Sequence, residues 1–350
     1  MKRVLVVDDS ALVRKVLCEE ISKYSDFEVV GSAIDPYDAR EKIYQLHPDI
    51  ITLDLEMPRM DGLSFLARLM KFHPLPVVVV SSVALEGSKA AMDALQLGAL
   101  EIVPKPGSQF SVPDVGRTLI HALRAAATVN IDKLKARHVF DQAPGPAALL
   151  FQTNHKVVAI GASTGGPQAI ETVMREMPAD APGMIIVQHM PQTFTGAFAE
   201  RLNKICRMQV REAQDLDDVT PGVALIAPGD KHMVLSRNGS RYQVRVKEGP
   251  RVHFQRPSVD VLFQSVAKNS GQNAVGVLLT GMGADGARGL MAMHDNGAHT
   301  IAQDEKSCVI FGMPKEAIVL GGVDQVLPLS QVGQAILARV SNSIESGDRR

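Results

Sequence analysis

Two doubly wound parallel-sheet α/β domains in series are the fold class this sequence predicts, and three observations carry it. Short apolar strand-type runs alternate with helical patterns from the start to about residue 122, and again from about 154 to 345. Polar and charged residues stand directly after several of those runs, at the edge where a parallel sheet gathers its binding groups. Between the two series lies Ala143-Pro144-Gly145-Pro146-Ala147, which breaks regular structure. We therefore read residues 1–122 as a (βα)5 domain, 123–153 as a linker and 154–345 as a second α/β domain.

The 350 residues suffice for two cores. With 37 basic and 38 acidic side chains, the chain has no field of the kind that draws nucleic acid or a membrane surface. Cys18, Cys206 and Cys308 are unclustered, which argues against a disulfide or metal framework and suits a reducing cytoplasm. The Met-Lys-Arg start is not a secretory signal, and no run of 18 uncharged apolar residues occurs. A soluble cytoplasmic protein without membrane insertion or a nucleic-acid partner is expected.

In the first domain the strands are predicted at Val4–Val7, Glu28–Ala33, Ile50–Leu53, Val77–Val80 and Glu101–Val103. Helical patterns cover Leu12–Ile21, Pro36–Gln45, Gly62–Met70 and Lys89–Leu97. Asp8 and Asp9 follow the first strand and Asp54 ends the third, so three carboxylates converge on one edge. Convergent carboxylates repel unless a hard cation neutralises them, and an oxygen-only donor set suits Mg²⁺. Ser81 and Ser82 close the fourth strand and Lys105 the fifth, placing hydroxyls and an ammonium where phosphoryl oxygens would sit. Any one of these residues alone is an ordinary loop residue; the set describes an aspartate, Asp54, that accepts a phosphoryl group with Mg²⁺ and Lys105 offsetting the charge.

With Val-Asp-Asp-Ser, Leu-Asp-Leu-Glu-Met-Pro-x-Met-Asp-Gly, Val-Ser-Ser and Pro-Lys-Pro in order, residues 1–122 resemble a response-regulator receiver domain. The resemblance implies phosphorylation at Asp54 and a Mg²⁺ site of Asp8, Asp9, Asp54 and the Glu56 backbone carbonyl. It also implies Ser81 as the switch hydroxyl, Lys105 as the phosphate-pairing lysine, and a chemotaxis histidine kinase as phosphodonor. A cis Lys105–Pro106 bond is expected.

The second domain's clearest strands are Val157–Ile160, Met184–Gln188, Val223–Ala227 and Ala274–Thr280, and Asn238-Gly239 marks a hairpin within 236–256. Ser163 lies in Gly161-Ala162-Ser163-Thr164-Gly165, a turn between a strand and the helical segment 168–174. His189 follows the second strand, and Asp285 lies in the loop after the fourth. On one rim of a parallel sheet, His189 could take the Ser163 proton while Asp285 fixes its tautomer. The glycine-rich turn is neither a dinucleotide fingerprint nor a P-loop, which disfavours a nucleotide. The order Ser…His…Asp differs from the Ser…Asp…His of the α/β-hydrolase fold, so a different topology with the same chemistry is expected.

Six further segments run in order: Ile-Gly-Ala-Ser-Thr-Gly-Gly (160–166), Gln-His-Met-Pro (188–191), Phe-Ala-Glu-Arg-Leu (198–202), Ala-Pro-Gly-Asp-Lys-His-Met (227–233), Leu-Leu-Thr-Gly-Met-Gly-x-Asp-Gly-Ala (278–287) and Phe-Gly-Met-Pro (311–314). With them the domain resembles the chemotaxis protein-glutamate methylesterase family. The resemblance implies demethylation of glutamate γ-methyl esters on methyl-accepting chemotaxis receptors, releasing methanol, and deamidation of particular glutamines. It makes Ser163 the nucleophile, His189 the base, Asp285 the orienting carboxylate and the Met282 amide an oxyanion donor, with Thr164 beside the nucleophile and no cofactor for ester hydrolysis.

Arg201, His232 and 251–258 could line a substrate groove or be structural; the methionines of 174–208 are assigned to the core. The resemblance also implies that the unphosphorylated receiver covers the hydrolase rim and that phosphorylation weakens that contact, which the receiver–linker–hydrolase order makes physically reasonable. Two other readings stay open: a catalytically silent scaffold, and a hydrolase serving a pathway other than swimming.

Overall fold

The computed structural model describes residues 1–82, 85–107, 111–131 and 156–341. Most of the linker expected at 123–153, and the tail after 341, lie outside the described residues. The chain divides into two compact units between Asp141 and Gln142.

The first unit runs β1 (Lys2–Val7), α1 (Ala11–Ser22), β2 (Phe27–Ala33), α2 (Pro36–Leu46), β3 (Ile50–Asp54), α3 (Gly62–Phe72), β4 (Val77–Ser81), α4 (Leu85–Gln96), β5 (Glu101–Pro104) and α5 (Val112–Ala127). Its sheet is parallel in the order β2-β1-β3-β4-β5. β3 and β4 are buried along their whole length, as continuous apolar strands covered on both faces must be. Ser10, Asp35, Asp61 and Ser111 cap α1, α2, α3 and α5 by accepting a first-turn N–H, which sharpens each start. α5 buries Val115, Leu119, Leu123 and Ala126 at helical spacing, and its alanine-rich end carries it to Ala127.

Register sets the edge. Val7 pairs with Leu53, so Asp8 and Asp54 are the next residues on neighbouring strands. Ser81 pairs with Pro104, so Lys105 lies one step beyond it. The expected cis bond at Lys105–Pro106 is not found: the cis peptide among the described residues is Arg256–Pro257. Trans is the form that the X–Pro amide itself favours by about 0.5–1 kcal/mol, and Lys105 reaches its carboxylate partner across a 2.7 Å contact without the isomer.

The second unit contains β6 (Val157–Ala162), α6 (Gly166–Glu176), β7 (Gly183–Gln188), α7 (Gln192–Ile205), β8 (Gln209–Glu212), β9 (Val223–Ile226), β10 (His232–Asn238) and β11 (Arg241–Lys247). It continues with α8 (Val259–Ser270), β12 (Ala274–Leu278), α9 (Ala287–Asp295), β13 (His299–Gln303), α10 (Met313–Leu320), β14 (Gln325–Leu327) and α11 (Leu329–Ser341). The seven-stranded sheet has the order β14-β13-β12-β6-β7-β9-β8 and is parallel throughout. From β6 the chain winds outward through β7 to β9 and β8, then returns to β12 on the other side. The strand order therefore reverses at β6 and β12, and a parallel sheet opens a crevice at the carboxyl ends of such a pair.

β10 and β11 form the expected hairpin, but its two-residue loop is Gly239-Ser240, with Gly239 at φ 60° and Asn238 the last paired residue of β10. Met233, Leu235 and Val244 from the hairpin join Leu225, Leu262 and Phe263 in the core. Met174, Met177, Met184, Met190 and Met208 are buried as expected. No helix among the described residues is long and apolar enough to cross a membrane.

Candidate active site

Two adjacent strands set the first pair of groups. Ala162 pairs with Gln188 at the ends of β6 and β7, so Ser163 and His189 leave the sheet side by side, on strands about 4.8 Å apart. The Ser163 N–H donates to the Thr280 carbonyl (3.0 Å) and the His189 N–H to the Ala162 carbonyl (3.1 Å). The buried Gln188 amide donates from Nε2 to the carbonyls of both Ser163 and His189, each at 3.0 Å. One side chain thus holds the backbone of both residues.

The Ser163 turn needs its glycines. Gly165 adopts φ 76°, which lets α6 begin at Gly166, close behind the serine. A Cβ on Gly281 would lie 2.8 Å from Ser163 Cβ and 2.2 Å from Met313 Sδ. The 281–286 loop can therefore lie against Ser163 only with glycine there, and Met282 is the next residue along it. Thr164 is buried, and its carbonyl accepts from Thr280 Oγ1 at 3.0 Å.

His189 Nε2 lies 2.8 Å from Asp285 Oδ2, with both side chains nearly inaccessible to solvent. Nδ1 is buried and carries no hydrogen bond. An imidazole donating from Nε2 to a carboxylate keeps its lone pair on Nδ1.

Asp285 is held from the start of α8. Its Oδ1 accepts from Ser258 Oγ (2.7 Å) and the Asp260 N–H (3.0 Å), and its Oδ2 from the Val259 N–H (2.8 Å) as well as from His189. Burial pushes this carboxyl up, but the hydrogen bond and charge of His189, then the Asp260 amide and Ser258, outweigh it and leave the group below its ordinary value. An ionised carboxylate is the form that stabilises an imidazolium.

The residues of uncertain role separate. Arg201 contacts Glu171, with Nε 3.5 Å from Oε2. His232 is buried, accepts the Ser258 N–H on Nδ1 (3.2 Å) and donates from Nε2 to the Pro250 carbonyl (2.8 Å), so it braces the residue that holds Asp285. The 251–258 stretch ends at that same Ser258. No sequence signal linked Ser258, Asp260 or Gln188 to the triad; Ser258 was legible only as a helix cap before an apolar run.

In the first unit, Lys105 Nζ lies 2.7 Å from Asp54 Oδ2 and 3.3 Å from Asp8 Oδ2. Asp54 Oδ1 accepts the Glu56 N–H (3.1 Å) and Asp8 Oδ1 the Ser10 N–H (2.9 Å). Ser81 is buried at the end of β4, and the Ser82 hydroxyl donates to Glu56 Oε1 at 2.8 Å. Burial raises Asp54 to about 6 against the opposing pull of Lys105, with Asp8 adding to the rise, and burial raises Asp8 as well. On Lys105 burial acts downward, but Asp54 and Asp8 prevail and hold its ammonium above its usual range. Carboxylate oxygens of Asp8, Asp9 and Asp54 lie within 4.8 Å of one another, and Asp8 Oδ2 is buried without a well-formed hydrogen bond. An all-oxygen set of three converging carboxylates, with one lysine against them, fits a hard divalent cation.

The sequence profile of the CheB methylesterase family matches residues 158–336, and that of the response regulator receiver domain matches 4–112. A Syntrophus aciditrophicus protein-glutamate methylesterase/protein-glutamine glutaminase is 54% identical over 97% of this chain and 99% of its own. The protein of that name from Escherichia coli K12 is 51% identical over 97% of both chains. The CheB methylesterase catalytic domain of Thermotoga maritima superposes with a TM-score of 0.51 at 36% identity, over 52% of this chain and 97% of its own. With a receiver domain in front and a Ser-His-Asp rim behind, the chain belongs to the protein-glutamate methylesterase/protein-glutamine glutaminase family.

Proposed function

We propose that this protein is a phosphorylation-controlled serine hydrolase that removes methyl groups from glutamate γ-esters on chemoreceptors and deamidates particular receptor glutamines. The observation that carries the chemistry is the buried 2.8 Å contact between His189 Nε2 and Asp285, which leaves Nδ1 as the base. Ser163 Oγ attacks the γ-carbonyl carbon while its proton passes to His189 Nδ1. The oxyanion meets the Met282 amide, a donor typically worth about 3–4 kcal/mol when well placed. His189 returns the proton to the departing methoxide or amine, giving methanol or ammonia. It then takes a proton from water, which attacks the acyl-serine, and returns that proton to the departing Ser163 Oγ, releasing the glutamate side chain as its carboxylic acid, which ionises.

Asp54 is the phosphoryl acceptor, supplied by a chemotaxis histidine kinase in the cytoplasm. Mg²⁺ on Asp8, Asp9, Asp54 and the Glu56 carbonyl would neutralise the converging charge. Lys105 holds the acceptor oxygen, and Ser81 is the hydroxyl that responds to the phosphoryl group. Control of the hydrolase by this state is the role proposed for the receiver; equal hydrolysis rates with and without it would defeat that part. Methanol release from methyl-labelled receptor tests the reaction: wild type releases it and Ser163→Ala does not. No release from wild type would leave the family assignment explaining only the fold.

A further inference from the structure

One bulky apolar side chain of the second unit is held in water on a strained turn. Phe254 is 89% exposed, yet it adopts φ 64°, and His253 before it adopts φ 50°. Consecutive left-handed residues with large side chains are disfavoured, and such strain persists only where surrounding contacts impose it. Here they do. Val252 and Gln255 close the turn with two backbone hydrogen bonds of 3.0 and 2.8 Å. Arg256 clamps its base to Asp230 Oδ1 (2.7 Å) and the Gly249 carbonyl (2.6 Å), and Arg251 reaches the same Asp230 oxygen. His253 Nε2 donates to Asp260 Oδ2 at 3.1 Å.

The turn stands beside the chemistry. Ligand atoms of His253, Asp260 and Asp285 lie within 4.8 Å of one another, so the residue preceding Phe254 stands near the carboxylate proposed to orient His189. Four residues further on, Ser258 donates to that same carboxylate. A ring presented to solvent at this place, at a conformational cost, finds its use in an apolar surface that arrives with the substrate.

We infer that Phe254 is a specificity-determining residue: its ring packs against apolar side chains flanking the modified glutamate on the receptor helix. The inference rests on the receptor-methylesterase reading above. The backbone beneath the ring is anchored before substrate arrives, so binding orders the side chain alone and not the turn that carries it. It acts in KM for the protein substrate and has no part in the bond-breaking steps.

The test compares wild type, Phe254→Gly and Phe254→Leu on methylated receptor in native membranes and on a short peptide carrying one γ-methyl glutamate. Glycine accepts the left-handed backbone, so Phe254→Gly should melt at or above the wild-type temperature, which removes misfolding as an explanation. Burial of a phenyl ring predicts that the ratio of kcat/KM on receptor to kcat/KM on peptide falls about 10- to 100-fold in Phe254→Gly, chiefly through KM, with Phe254→Leu recovering part of it. A ratio within about twofold of wild type overturns the inference while leaving the function standing. A wild-type enzyme silent on the receptor overturns both.

Discussion

Ser258 Oγ donates to Asp285 Oδ1 across 2.7 Å, and neither side chain is accessible to solvent. The same serine caps α8 by accepting the Val261 N–H. One hydroxyl therefore starts a helix and fixes the carboxylate that orients His189. Ser258→Ala removes a hydrogen bond to a charged group, a loss of about 1.5–3 kcal/mol. The expected outcome is a kcat on receptor lower by about 10- to 100-fold with KM little changed. Stopped-time methanol assays with thermal melts separate this loss from the smaller loss of the cap.

Asp285→Asn keeps the shape of the side chain and removes its charge. An amide facing Nε2 no longer favours the tautomer with its lone pair on Nδ1, and kcat should fall by about 10⁴. Stability follows the sign of the shift. The Asp285 carboxyl lies below its ordinary value in the folded chain, so its contribution is present above the unfolded value and lost as pH falls through the folded one. The variant should melt below wild type at pH 7, with the gap closing as pH drops below about 4.

Asp54 shifts the other way. Its folded value of about 6 exceeds the unfolded value near 3.8, so the unfolded chain releases this proton first. The ionised Asp54 thus subtracts stability at pH above 6, and the deficit fades between 6 and about 4. In EDTA, Asp54→Asn should melt above wild type at pH 7.5 and coincide with it near pH 4. A pH-independent difference would contradict the burial argument.

Mg²⁺ should raise the melting temperature of the wild-type chain, because the cation binds converging carboxylates that the unfolded chain lacks. Asp8→Asn leaves too few anionic oxygens, and its melting temperature should not respond over the same titration.

Much of both sites was legible because each residue follows a strand of a parallel sheet, and strands are short and periodic enough to be located from apolar runs. Asp8, Asp54, Ser81 and Lys105 follow from counting strand ends, as do Ser163 and His189. What could not be read depends on contacts distant in sequence. Ser258 and Asp285 are 27 residues apart, and nothing local shows that the start of α8 faces the loop before α9. Gln188 stood in plain view beside His189, but its hold on the Ser163 carbonyl follows from the β6–β7 register. α5 was not located from the sequence, and it runs past the boundary expected at 122 because Ala125, Ala126 and Ala127 continue the helix.

Two sites in one chain are proposed to be coupled, with phosphoryl transfer to Asp54 controlling an ester hydrolysis performed by Ser163. The most direct measurement is the initial rate of methanol release from methyl-labelled receptor, with and without a small-molecule phosphodonor plus Mg²⁺, for wild type, Asp54→Asn and Ser163→Ala. The rate should rise with phosphodonor in wild type, stay at the basal level in Asp54→Asn and be absent in Ser163→Ala. A phosphodonor response that survives in Asp54→Asn, or release that survives in Ser163→Ala, would contradict the proposal.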